Sequence, residues 1–119
     1  MVSPVEAITY PIDATILSGA SLSDGVNLAG HILCGVYMPA GWTAAGISFQ
    51  ASIDGVTFVD MYAAGAELTS AAGASQYVAL DSSVFLGVRA IKVRSGTAGV
   101  PVNQGADRAL VLAVGKPDS

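Results

Sequence analysis

Ala44-Ala45-Gly46-Ile47-Ser48-Phe49-Gln50-Ala51-Ser52-Ile53-Asp54-Gly55-Val56-Thr57-Phe58-Val59-Asp60-Met61-Tyr62 reads as two β-strands joined by a tight Asp-Gly turn. In the first arm Ile47, Phe49, Ala51 and Ile53 share one face, and Ser48, Gln50 and Ser52 share the other. That alternation marks a strand with one apolar and one wet side. Asp54-Gly55 suits the positive φ values of a type I′ hairpin turn. A strict two-residue hairpin sets Ala51 opposite Phe58, which suits a core. It also sets Phe49 opposite Asp60, which carries an unpaired carboxylate into an apolar face. The sequence therefore predicts a bulge near Val59-Asp60 or a looser turn, and either returns Met61 to the interior.

The same short, β-rich style runs through the rest of the chain. Strands are predicted near residues 13–17, 31–38, 46–53, 57–62, 67–69, 76–80, 89–95 and 107–114. Gly, Pro, Ser or Asp clusters separate them, at 18–25, 39–41, 54–55, 71–75, 81–83 and 95–99. Ala-rich pieces around Ala63 and Ala71 have helical propensity, but Gly65 and Gly73 break them before a stable helical length. About eight short strands and no long 3.6-residue stripe predict an all-β fold, an antiparallel β-sandwich or jelly roll.

Two further strands carry detail. Ile91 and Val93 are expected to face inward, with Lys92 and Arg94 outward. In the last strand Leu110, Leu112 and Val114 alternate with Ala109, Val111 and Ala113, so both faces are apolar. Such a strand is central in its sheet, or its outer face is covered by something. Val111 is thereby a candidate contact residue. Residues 1–12 lack periodicity, and Pro4 and Pro11 interrupt pairing, so this segment is expected to be an arm that docks on a neighbour or simply frays. Val2, Pro4 and Val5 are its candidate contacts with another subunit or a larger shell. The expected division is an arm at 1–12, a sandwich domain at 13–115 and a tail at 116–119.

The chain has 119 residues, which fits one domain with a radius of gyration of about 13 Å. Charged residues make up 12%, about half the usual share of roughly 25%, and mean hydropathy is +0.59. Either an Ala/Gly/Ser/Thr surface is simply neutral and small, or much of the exterior is covered in an assembly, where interface cores lose charge. The net charge is −4, and the five basic residues Arg89, Lys92, Arg94, Arg108 and Lys116 form no basic stripe with interleaved aromatics. No nucleic-acid partner is therefore expected. Met1 to Ala7 shows no secretory pattern, and no apolar run approaches the roughly 18 residues of a membrane span, so no membrane partner is expected either. Cys34 is the only cysteine, which rules out an intrachain disulfide, and its apolar neighbours predict a buried, inert thiol.

Reactive groupings are sparse. His31 is the sole histidine, and no Ser, Cys or Asp constellation assembles around it by spacing. Asp54, Asp60 and Glu67 sit at turns or on wet faces, where carboxylates ordinarily go, rather than as a pair for glycoside chemistry. Asp54 and Asp60 lack the dense acidic spacing of a calcium loop. Trp42, next to Pro39-Ala40-Gly41, either stacks on a sugar ring from an exposed loop or closes one end of the core. Ser95-Gly96-Thr97-Ala98-Gly99 precedes Val100-Pro101, not the helix a phosphate cradle requires. No catalytic residue, metal or cofactor is expected, and the chain is expected not to be an enzyme.

Residues 38–55, from Met38-Pro39-Ala40-Gly41-Trp42 to Ile53-Asp54-Gly55, resemble a group of small tailed-phage and prophage virion proteins. So do Tyr77-Val78-Ala79-Leu80-Asp81, Ile91-Lys92-Val93-Arg94-Ser95-Gly96-Thr97, Pro101-Val102-Asn103-Gln104 and Ala106-Asp107-Arg108. The likeness covers about residues 14–114. It implies a non-enzymatic β-sandwich on the virion, of the capsid cement (decoration) type with a jelly roll, often a homotrimer, with a dimer next. The implied partners are other copies of itself and the major capsid protein. The implied location is the capsid surface, after synthesis in the bacterial host cytoplasm. Phe49-Gln50-Ala51-Ser52-Ile53-Asp54-Gly55 is also similar to the strand-turn-strand of discoidin-type sugar-binding sandwiches, although this chain is shorter and lacks the terminal cysteines many of them carry. The alternatives to a cement protein are accordingly a carbohydrate-binding tail or fibre module using Trp42, and a neck or tail structural protein.

Overall fold

The computed structural model describes the backbone of residues 5–117 and the side chains of residues 11–116. Eleven strands occur among the described residues: β1 (Val5–Ile16), β2 (Val26–Asn27), β3 (Ile32–Tyr37), β4 (Ile47–Ser52), β5 (Val59–Asp60), β6 (Tyr62–Ala63), β7 (Ala66–Glu67), β8 (Thr69–Ser70), β9 (Tyr77–Ala79), β10 (Ala90–Ser95) and β11 (Arg108–Pro117). A 3-10 turn at Ser82–Phe85 is the one helical element among them. The strands pair antiparallel in two sheets ordered β1-β11-β3-β9 and β2-β10-β4-β5, with β8 also on β4 and a small β6-β7 hairpin alongside. The protein is an all-β antiparallel sandwich with a radius of gyration of 13.5 Å.

The core lies between the sheets. Ala14, Ile16, Leu33, Val36, Val78, Leu110, Leu112 and Val114 come from the first sheet. Val26, Ile47, Phe49, Ile91 and Val93 come from the second. Phe85, carried in by the 3-10 turn, meets Phe49 edge-on at 5.4 Å between ring centroids, a favourable aromatic geometry. Asp81 starts that turn by accepting from the Ser83 N–H at 3.0 Å.

The last strand is central, flanked by β1 and β3, the first of the two outcomes its apolar faces allowed. The first strand differs from expectation. Most of the segment expected to be an arm, from Val5 onward, belongs to β1 and runs along β11 to the pair Ile16–Arg108. Pro11 is accommodated because β1 is a sheet edge, where a missing N–H costs no ladder bond. The edge is blunted further by exposed Asp13, and Asp24 Oδ1 accepts the Thr15 N–H at 3.1 Å.

Between the pairs Ala113–Gly35 and Val114–Leu33 the register shifts, leaving Cys34 as the extra residue of a bulge. Cys34 is therefore half-buried rather than buried, and its thiol donates to Ile32 O at 3.4 Å. The predicted strand at 57–62 is split between β5 and β6, and that at 67–69 between β7 and β8. The two-residue strand β2, on the edge of the second sheet, has too few residues for a periodic signal.

Because Phe49 is fully buried and in ring contact with Phe85, Phe49→Ala should cost about 3–5 kcal/mol of unfolding free energy. A urea titration of the two proteins checks this. A loss below about 1 kcal/mol would mean the two sheets do not meet at this ring.

Candidate functional site

The β4–β5 hairpin is looser than a two-residue turn. Ala51 pairs with Val59 and Gln50 with Asp60, one residue away from the strict register. Gly55 has φ +81°, while Asp54 is not in the left-handed region, so the turn is not type I′. Asp54 organises it instead. Its Oδ1 accepts from the Val56 N–H at 2.8 Å, the Thr57 N–H at 2.9 Å and the Ser52 hydroxyl at 2.9 Å. Ser52 Oγ in turn accepts the Gly55 N–H at 2.8 Å. The backbone donors of Thr57 and Val56, then the Ser52 hydroxyl, hold the Asp54 carboxyl down at about 2. This register resolves the conflict at Asp60. Its carboxylate lies opposite Gln50, which donates to it at 3.2 Å, and Met61 returns to the core.

The same register carries Asp60 toward a guanidinium that the sequence placed in water. Arg94 is buried. Its Nε donates to Ser48 Oγ at 3.0 Å, Nη1 to Asp60 Oδ1 at 2.9 Å and Nη2 to Glu67 Oε2 at 2.9 Å. Ser48, expected on a wet face, is fully buried, and its hydroxyl donates to Gly96 O at 2.7 Å. Glu67 also accepts the Ala98 N–H at 2.9 Å. The cluster thus fastens the β6-β7 hairpin and the glycine-rich loop over β4 and β10. Gly96 is required in that loop: φ is +87°, and a Cβ would meet Val100 O and, at 2.9 Å, Val102 N. Hydrogen bonding by Arg94, then by Gln50, holds the Asp60 carboxyl below its ordinary range.

A second buried polar group closes the end near Trp42. Gln104 Oε1 accepts from the Thr43 N–H at 2.8 Å and Arg108 Nε at 3.2 Å. Its Nε2 donates to Thr43 O at 3.1 Å and Ser95 Oγ at 2.7 Å. Trp42 itself is 7% exposed, with Nε1 donating to Ala45 O at 3.0 Å. Of the two readings open for Trp42, the structure shows the second: the ring closes the core rather than standing exposed as a contact, and its one polar atom is used locally.

The remaining predicted residues scatter. Val2 and Pro4 lie outside the described residues. Val5 is paired with Pro117 at the start of β1, and Val111 is half-buried on β11 between Asp13 and Tyr37. His31 Nδ1 lies 3.0 Å from Leu28 O. Asp107 Oδ1 accepts the Ser18 N–H at 2.8 Å. Among the described residues no three His, Cys, Asp or Glu side chains are grouped to hold a metal ion. Lys92 is spread over the Phe58 ring, 4.8 Å from its centroid.

The surface feature that stands out is apolar. Ile53, expected inside, is 84% exposed, because the loosened turn carries it past the end of the sheet. Val56 at the tip is 81% exposed and Val59 61%. A surface depression of about 460 Å³ is lined by Ala51, Ile53, Asp54, Thr57 and Val59. A similar one, lined by Thr15, Leu17, Ala20, Leu22, Ser23 and Asp24, lies beside the β1 edge. Period-two alternation put Ile53 inward; only its position next to the Asp-Gly turn hinted otherwise. Comparison with protein-family models, with curated proteins and with solved structures found no match to this chain.

Arg94→Ala should cost about 3 kcal/mol, at the low end for breaking a buried ion pair because Asp60 is 37% exposed and can rehydrate. Arg94→Lys should recover little, since an ammonium cannot reproduce three donors in one plane. Urea midpoints of the three proteins measure both effects, and a Lys variant as stable as the parent would refute the geometric account. Asp54 and Asp60 have folded pKa values below the ordinary 3.8, so the unfolded chain binds more protons as acid is added. The stability they contribute is complete above about pH 4 and is lost as pH falls through their folded values, toward about 2 for Asp54. Asp54→Asn should flatten that part of the stability–pH curve, read from melting temperatures across the same range.

Proposed function

We propose that this protein is a non-enzymatic structural component of a phage virion, a cement protein that binds the assembled capsid shell and reinforces it. The observation that carries the reading is the group Ile53, Val56 and Val59, left in water on a single hairpin whose turn is held by Asp54 and Ser52. A contact surface of this kind is already ordered before binding, so little conformational entropy is lost on docking. The commitments of the polar groups fit the same reading. Asp24, Asp54, Asp60, Glu67, Asp81 and Asp107 each accept hydrogen bonds that hold turns, edges or loops of this chain. The sandwich spends its few charges on rigidity, as a shell-reinforcing part requires. Repetition over a symmetric shell then turns modest contacts per copy into strong overall attachment. The resemblance of residues 14–114 to small virion proteins points the same way, and the buried Trp42 leaves the sugar-stacking alternative without its ring.

The test is co-sedimentation with undecorated phage shells, followed by heating of the complexes. Decoration should carry the protein into the pellet at a fixed ratio to shell subunits and raise the temperature at which shells rupture. Protein that remains in the supernatant at saturating concentration, with shell rupture unchanged, overturns the reading.

A further inference from the structure

We infer that the β4–β5 hairpin is a self-association surface, and that two copies pair through it about a two-fold axis. A two-fold contact must be self-complementary, so each copy has to present both halves of the fit. This hairpin does so in shape. Val56 projects at the tip with 81% of its surface exposed, and beside it lies the depression of about 460 Å³ lined by Ala51, Ile53, Asp54, Thr57 and Val59. Val56 of each copy fits as the knob for the depression of the other.

The hairpin is also self-complementary in charge. Arg89 is exposed, has no ion pair among the described residues, and its Nε lies 3.9 Å from where a Cβ on Gly55 would stand. Asp54 is exposed at the same turn, and the Thr57 and Val56 N–H groups with the Ser52 hydroxyl hold its carboxyl down at about 2. One cation and one carboxylate oxygen at the rim of an apolar patch are what a rotated second copy needs to meet each with its opposite.

The size is sufficient but small. The three aliphatic side chains present on the order of 400 Å², within the range of the largest apolar patches on monomers. With the rim, a pair would bury about 1,000 Å², the lower limit of a specific interface, so a weak dimer is expected rather than a permanent one. This contact uses the same hairpin tip as the proposed shell contact, so the two compete: the weak dimer is the form in free solution, and it opens as a copy docks.

Sedimentation equilibrium from micromolar to millimolar protein tests it, on the parent chain and on Val56→Asp and Arg89→Glu, with melting temperatures alongside. The parent should dimerise, Val56→Asp should weaken the dimer at least about tenfold, and Arg89→Glu should weaken it more at low salt than at high salt. Melting temperatures of the dilute proteins should agree, because both side chains lie outside the core. Amide chemical shifts followed on dilution of the parent give a second readout, with changes expected at residues 51–59 and 89. A parent that stays monomeric at millimolar concentration overturns the inference. So does a dimer that Val56→Asp leaves intact, or dilution shifts that map elsewhere. A monomer that binds shells in a Val56-dependent way also overturns it while sparing the proposed function, and a dimer indifferent to shells does the reverse.

Discussion

A guanidinium taken out of water must be met by acceptors on every side, and Arg94 imposes that condition on a large part of this molecule. Ser48, Asp60 and Glu67 answer its three donors from β4, β5 and β7. β4 and β5 are strands of the second sheet, and β7 is thereby held over its outer face. Desolvating an ion pair offsets much of its Coulomb attraction, so the cluster contributes position more than net stability. Its effect is to make the chain cover that sheet face with its own short strands.

The same economy governs the other polar groups. Gln104, 1% exposed, has both ends of its amide satisfied, and no buried side-chain nitrogen or oxygen among the described residues lacks a partner. Carboxylates cap turns, close the free edge of β1 or meet Arg94. Asp24, Asp54, Glu67, Asp81 and Asp107 all accept backbone N–H groups of this chain. On the hairpin tip, by contrast, Ile53, Val56 and Val59 are left largely in water.

Those two facts link structure to the proposed role. A sandwich fastened by internal polar pins resists local opening, and an apolar tip on a fastened turn offers a contact that needs no ordering on arrival. The blunted edge of β1 acts in the opposite sense. Pro11, Asp13 and the Asp24 cap discourage open-ended strand pairing, the usual hazard of β-proteins at high local concentration. Association is thereby directed away from that edge.

Much of the architecture was legible in residue order, because strand periodicity and turn chemistry are local. Alternation placed β4, β10 and β11, and the two apolar faces of β11 called for a central position or a covered outer face. The awkward carboxylate at Asp60 called for a bulge or a looser turn, and the looser turn is what forms. What local patterning left open was what lay above each outer face. Ser48 and Arg94 alternate as wet-face residues should, yet both are buried, because β7 reaches Arg94 from 27 residues away and the loop at 96–99 reaches Ser48 from 48 residues away. Ile53 alternates as a core residue, yet it is exposed, because the sheet ends one residue before it. Pro11 lies in a strand, because only the order of the sheet makes β1 an edge. Sequence determined most of the strands and which face each prefers; tertiary structure added the start of β1 and all of β2, and it decided which faces meet protein and which meet water, since burial depends on neighbours that the chain brings together.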